Sequence, residues 1–545
     1  MAATDAAPST PPPAPPRPGL RDSGAVLVAA GTLVSRILGF TRDAVIAHVL
    51  GTSTAADALR AALRIPNLMQ NLFGEGALSA SFIPVYARLR TGQQDEEAVR
   101  VAGAVFTLLA LLSSVLVLVG VTWSAELVAL LTPGFAAGTR AITTALVRLM
   151  FPGVGLLVLS AWCLGVLNSH RRFFLSYVSP AVWNLAIIAA VLTGPRTSLE
   201  DAARLVAWGA LVGSALQFLV QLPAVLTLVR GMRLDPATDD PHVRTVARNF
   251  GPALMSRGVL QVSSFVDLQF ATMLTAGSVA ALGLAQSITL LPVTLFGSAI
   301  TAAALPGMSS VRGDGDVRNA ALRERLAANQ RRIAFFIVPS AAAFLAVGDA
   351  IAAALYRSGR FTAADTTWLW AILAGASLGL LASTLARLYS SAFFALQDTT
   401  TPFRFALVRV GIGIALAYLL GVRLPGWIGI DPRWGTAGLT LASGIAGWSE
   451  FTLLRRGLRD RIGALPAVLP LLLRLWGCAL LAAGVTWAVR VPWLGRSGVP
   501  HRLESVALLG VFAVTYGVVT LATGIPEATA LVERIRRRRG GAATR

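Results

Sequence analysis

The sequence predicts an all-α polytopic membrane protein of about 14 transmembrane helices, built as two six-helix lobes in a parallel repeat plus two C-terminal helices. Three observations predict it. Of 545 residues, 55% are hydrophobic and 14% charged, with a mean hydropathy of +0.67, whereas soluble chains carry about a quarter charged residues. The apolar residues gather into segments long enough to cross a ~30 Å hydrocarbon core. Short motifs also recur at a shared offset along the chain.

Residues 1–22 form a Pro/Ala-rich tail with no packing pattern, expected to be disordered. No cleavable signal peptide is expected after it, because the first apolar segment carries Arg36 and Arg42. Spans are expected at 24–50, 54–90, 97–130, 139–168, 172–194, 201–230, 244–276, 279–310, 330–356, 364–396, 401–422, 434–456, 466–489 and 503–529. The second and eighth are interrupted by Pro and Gly, and such breaks normally line a cavity. The domains follow: a six-helix lobe over 23–235, a second over 236–460, an extra helix pair over 461–530 and a basic tail over 531–545.

The repeat supports this division. Ser35-Arg36 recurs as Ser256-Arg257. Phe73-Gly74, followed by Pro84 and Arg88, recurs as Phe296-Gly297, followed by Pro306 and Arg312. Leu167-Asn168 before Phe173 has an echo in Leu396-Gln397 before Phe403. An even number of spans per repeat puts both halves in one orientation, with a ligand site at their interface. Arginine placement sets the direction. Arg88, Arg90, Arg171, Arg172, Arg233, Arg318, Arg323, Arg325, Arg331, Arg332, Arg455, Arg456 and the closing Arg536–Arg539 share one side, so both termini are expected to be cytoplasmic.

The chemistry is expected in the stretch from Gly31 to Gly92. It is mostly apolar, yet carries Arg36, Arg42, Asp43, Asp57, Arg60, Arg64 and Glu75. A charge at the bilayer centre costs about 2.5–3.5 kcal/mol on the mildest scale, so such residues face a bundle interior or a water-filled cavity. Asp57, Arg60, Arg64, Asn67 and Asn71 share one helical face, and Arg36 shares another with Asp43. Pro66, Gly74 and Gly76 loosen the helix around Glu75. Internal salt bridges would explain part of this, but arginine outnumbers acid here, which points to a basic pocket for an anionic ligand.

Other classes are excluded or disfavoured. The net charge of +20 is entirely arginine, since the chain has no lysine, and no nucleic-acid-binding motif surrounds it. Cys163 and Cys478 lie in apolar segments and read as core residues. Histidine spacing fits no metal site, and no phosphate loop or nucleophile motif is present, so neither an enzyme nor a bound cofactor is expected.

The stretch SRILGFTRDAVIAHVLGTSTAADALRAALRIPNLMQNLFGEGALSASFIPVYARL resembles the N-terminal signature of the MurJ/MviN lipid II flippases, within the multidrug/oligosaccharidyl-lipid/polysaccharide exporter superfamily. GVLNSHRRFFLSYVSPAVWN (165–184), LYRSGRFTAADT (355–366) and FFALQDTTTPFRFAL (393–407) extend the resemblance over nearly the whole chain. It implies alternating-access export of the undecaprenyl-pyrophosphate-linked peptidoglycan precursor across the bacterial inner membrane. It also implies a lipid-tail groove on the last two helices. The partners implied are that lipid-linked precursor, membrane lipids and other cell-wall synthesis proteins, with a sodium ion or the membrane potential as the driving force.

By position, Arg36, Arg42 and Asp57 match cavity residues of that family. Gln70 and Ser287 stand where it carries arginines, and Arg60, Arg64 and Arg257 are the candidates to replace them. Asp267 matches a sodium-ligand aspartate of some members, but the eleventh span offers Arg409 in place of a second carboxylate, so an Asp267–Arg pair competes with a metal site. Gln261 and Thr440 are further polar cavity or ion-site candidates. A polysaccharide-lipid flippase, a cation-coupled drug exporter and a non-transporting membrane scaffold remain alternatives. Cationic drugs would call for acids in the cavity. Arg257→Ala is expected to abolish function and added Ser287→Arg to restore part of it; complementation that Arg257→Ala leaves intact would refute the compensation.

Overall fold

The computed structural model describes residues 21–195, 197–309, 315–465, 469–493 and 500–533, with side chains at all of these except 21–29, 70, 74–76, 256–264, 306 and 492–493. Every regular element among them is helical, and end to end they form fourteen rods. The first half comprises α1 (Arg21–Leu50), α2 (54–91), α3 (95–131), α4 (Ala137–Ser169), α5 (Phe173–Thr193) and α6 (Leu199–Leu228). The second comprises α7 (Pro241–Thr272), α8 (Ser278–Ser309), α9 (Gly315–Tyr356), α10 (Ala363–Ala395), α11 (Thr400–Ile428) and α12 (Gly435–Ile462). The rods α13 (Leu469–Trp493) and α14 (His501–Ala522) follow.

Ten rods are long and apolar enough to cross a membrane. Among the described residues α1, α2, α7 and α12 do not meet that measure, and three of them carry the expected site arginines or Asp267. The polar helices are the ones with an interior to face.

Packing follows the sequence halves. Rods α1 to α6 pack among themselves, chiefly α5 on α6, α4 on α6 and α1 on α5, while α10 gathers α9, α12 and α8 around it. The pair α13–α14 lies against α9, where the Tyr516 hydroxyl donates to the Phe335 carbonyl and Arg490 pairs with Asp349. Rod α7 leans on α2 more than on its own half, with Phe73 and Phe250 rings 6.1 Å apart.

Rods α2, α8 and α11 are each broken by a π-helical stretch, at Gln70–Leu78, Val293–Ser298 and Ala417–Arg423. The first two of these hold the repeated Phe-Gly pairs. Wide turns of this kind occur mostly as insertions inside α-helices and frequently at functional sites.

The α10–α12 crossing has no room for side chains at its centre. A Cβ on Gly379 would stand 2.4 Å from the Gly444 Cα, and one on Gly375 would stand 2.5 Å from the Thr440 hydroxyl. Membrane helices use such small residues for close approach, because apolar surface alone gains nothing against lipid tails. Gly379→Val is therefore expected to cost about 1–3 kcal/mol through overpacking. A thermal midpoint of the detergent-solubilised variant equal to wild type would contradict this.

Candidate functional site

Asp43 is the hub. It is 2% exposed, on the inward face of α1. Its Oδ1 accepts from the neighbouring Arg42 at 2.7 and 3.1 Å and lies 3.4 Å from Nη1 of Arg60 on α2. Its Oδ2 accepts the Ser287 hydroxyl of α8 at 2.9 Å. Arg42 in turn donates to the Asn184 side-chain Oδ1 at 3.0 Å and lies over the Trp183 ring, 5.1 Å from its centroid. Asn184 donates back to the carbonyls of Ser35 and Pro180. One carboxylate thus holds two arginines, and α1, α2, α5 and α8 meet around it.

Charge remains after this pairing. Arg60 Nη2 is buried and has no hydrogen-bond partner among the described residues, a state that native structures rarely leave unexplained. Arg36 stands at the junction of two adjoining cavities. One, of about 300 Å³, lies within the first half and is lined by Ser35, Ser160, Ser176 and Gln217. The other, of about 280 Å³, reaches from Arg36, Arg42 and Asp43 across to Ser287 and Leu290 of α8. Further along α2, Arg64 donates to the Gln286 side-chain oxygen at 2.9 Å.

Asp57 has a different setting. It lies on α2 and is 3% exposed. It accepts from the backbone N–H of Gly277 at 2.6 Å and of Ala280 at 2.8 Å, capping the start of α8 from a separation of more than two hundred residues. The surroundings tighten this joint. Thr52 donates to Asp365, and the Arg360 N–H donates to the His48 carbonyl at 2.9 Å. Gly277 has φ +89° and Gly359 φ +56°, and a Cβ on either would stand 2.3 Å from a carbonyl oxygen of the 48–52 turn. Left-handed backbone with no Cβ is a combination glycine supplies. Asp57 therefore closes the contact between the halves at the end opposite the arginine-rich one, instead of adding to the basic face with Arg60 and Arg64.

The other sequence candidates divide. The Arg60 side chain packs on Gly283, one turn before Ser287. The side chains of Glu75, Arg257, Gln70 and Gln261 lie outside the described residues. Thr440 donates to Ile372 and Ala437 carbonyls, so its hydroxyl is spent on the α10–α12 crossing. Asp267 has Arg64 and Arg409 as its charged neighbours and Ser443 beside it. Arg409 finds its carboxylate elsewhere, 3.4 Å away on Glu450 of α12. Among the described residues no group of three or more His, Cys, Asp or Glu could hold a metal.

The sequence places Asp43 on one inward face with Arg36 but assigns no role to Asn184, Trp183 or Glu450. Asn184 and Glu450 are single polar residues in apolar spans, detectable only as such.

Residues 46–503 match the family described as lipid II flippase MurJ. The chain is 32% identical to the lipid II flippase MurJ of Burkholderia cenocepacia, over 90% of its own length and 95% of the relative's. It is 31% identical to a probable lipid II flippase MurJ of Rhizobium meliloti, over 95% and 96%. Among solved structures, a lipid II flippase MurJ in an inward closed conformation superposes with a TM-score of 0.74 at 23% identity, covering 91% of this chain and 98% of that one. An inward-facing multidrug resistance transporter of the MATE family gives a TM-score of 0.63 at 15% identity, over 80% and 98%.

Removing the Asp57 carboxylate would leave buried N–H groups at the start of α8 without an acceptor, at about 1–3 kcal/mol. Asp57→Ala is expected to lower the thermal midpoint and to raise thiol labelling of a cysteine placed at Thr52. Unchanged labelling at that position would rule out the closing role.

Proposed function

This chain belongs to the lipid II flippase MurJ family, and we propose that it carries undecaprenyl-pyrophosphate-linked peptidoglycan precursor across the bacterial inner membrane by alternating access. The observation that carries this is the unpartnered guanidinium nitrogen of Arg60 beside Arg42 and Asp43. A pyrophosphate diester is multiply anionic, and arginine offers a planar fork of donors that meets phosphate oxygens two at a time. Phosphate leaves water at great cost unless charged donors replace it. Arg36, Arg42 and Arg60 supply them at the interface of the halves, with Asp43 holding two of them in place until the ligand competes.

In this reading nothing is broken or made, so the protein is a transporter and not an enzyme. Both termini lie in the cytoplasm, where the arginine-rich ends of the helices sit. The Asp57 contact then seals the outer side while the cavity opens inward. The lobes move about this pair of contacts, and α13 and α14 take the prenyl tail on their apolar surface. A drug exporter for cations is disfavoured by the basic cavity. Other cell-wall synthesis proteins are the natural partners, since they supply and consume the lipid.

Rescue of a cell depleted of its own lipid II flippase tests the proposal. Wild type is expected to restore growth. Arg60→Ala and Arg42→Ala are each expected to fail at normal expression, with Arg60→Lys recovering part because it keeps the charge and loses the fork. Wild-type chain that inserts in the membrane yet never rescues would refute the substrate; rescue by Arg42→Ala and Arg60→Ala together would refute the site.

A further inference from the structure

A second basic recess lies away from the central cavity, between the end of α8 and the start of α9. The two run antiparallel in a register fixed at both ends. Phe296 stacks on Phe336 with ring centroids 4.4 Å apart, and the Arg325 guanidinium lies 3.2 Å from where a Cβ on Gly307 would stand. Between these points the groove encloses about 420 Å³. On α8 its wall is made of Ile300 and small residues such as Ala303 and Gly307; on α9 it is made of Arg325, Asn329 and Arg332. The three polar residues stand at i, i+4 and i+7 and so share one face, spread over about 10 Å of helix.

Among the described residues neither Arg325 nor Arg332 has a carboxylate within 4 Å, whereas Arg331, one residue aside, pairs with Glu527 beyond α14. Both are exposed at the arginine-rich end, where the rods leave the membrane for the surface. The α8 wall beside them offers only apolar atoms. A lipid would satisfy both halves of this surface, with its charged head on α9 and its chain along the alanines. The charges also select among lipids. A phosphodiester head brings one negative charge against two guanidiniums; a pyrophosphate diester brings two, and each phosphate can take one bidentate arginine.

We propose that the α8–α9 groove is a docking site for the pyrophosphate end of a polyprenyl-linked lipid, occupied at the membrane surface before the lipid reaches the central cavity. The substrate class rests on the function proposed above. The site itself is separate, made by residues that touch neither Asp43 nor Arg60. Placement on α9, which also carries α13 and α14, lets one lipid lie with its head in the groove and its tail toward the helix pair.

The test uses the full chain in nanodiscs of phosphatidylethanolamine and a pyrophosphate diester bearing a photoreactive prenyl chain, with crosslinked peptides mapped by mass spectrometry. Wild type is expected to be labelled on 299–307 as well as around the central cavity. Arg325→Gln with Arg332→Gln should reduce the groove labelling at least tenfold. Ala303→Leu, which keeps both charges and fills the groove, should do the same. Groove labelling unchanged in both variants, or displaced equally well by phosphatidylglycerol, would overturn the proposal, the second outcome marking an ordinary anionic-lipid site. Labelling of the central cavity alone overturns the groove and leaves the function standing. Groove labelling with none near Arg42 and Arg60 overturns the cavity reading instead.

Discussion

A buried carboxylate shared by two arginines organises the interior of this protein. Asp43 cannot stay ionised in hydrocarbon without compensation, and Arg42 and Arg60 cannot stay charged there without an acid. Each makes the others tolerable, and their helices are fixed as a result. Pairing in such a cluster adds little net stability, because desolvation consumes most of the attraction. What it secures is position. Arg42 is held from three directions, by Asp43, Asn184 and the Trp183 face, and so presents its donors in one orientation.

The two buried acids of the first half also divide the work of joining the halves. Both reach α8: Asp43 through the Ser287 hydroxyl, Asp57 through the amides at the helix start. One joint is ionic and adjoins the basic cavity. The other is a backbone cap and lies at the far end. Arg60 and Asp57 stand one turn apart on α2, so the two joints share that rod as well as α8. Rods α2 and α8 each take part in both joints.

How far the sequence could be read depends on the kind of signal. The all-helical, membrane-spanning architecture was legible because hydrocarbon demands long apolar runs; that four of the rods fall short of the apolar measure emerges only from the structure. The inward arginines were legible from that same demand. The role of Asp57 was not, since a carboxylate that caps a helix two hundred residues away looks in sequence like one that faces a ligand. The Arg409–Glu450 pair was missed because partners on different helices have no spacing rule; only within one helix does i, i+3 or i+4 reveal them. Ser287 could be recognised as a departure from the family, but that Arg60 would lie across Gly283 into its neighbourhood depends on a glycine's missing side chain, which only the packing displays.

The wide turns in α2, α8 and α11 carry a last implication. Each residue of an α-helix advances the azimuth by about 100°, so one extra residue in a turn re-aims everything after it. In α2 the stretch before the break shows Arg60 and Arg64 to the centre, while the stretch after it buries Phe82, Tyr86 and Leu89. The break acts on the helix as a frameshift acts on a message. Remove one residue from it and the downstream half would still be a helix of the same composition, but read in the wrong phase, with its aromatic face turned to the cavity and its polar face to the lipid.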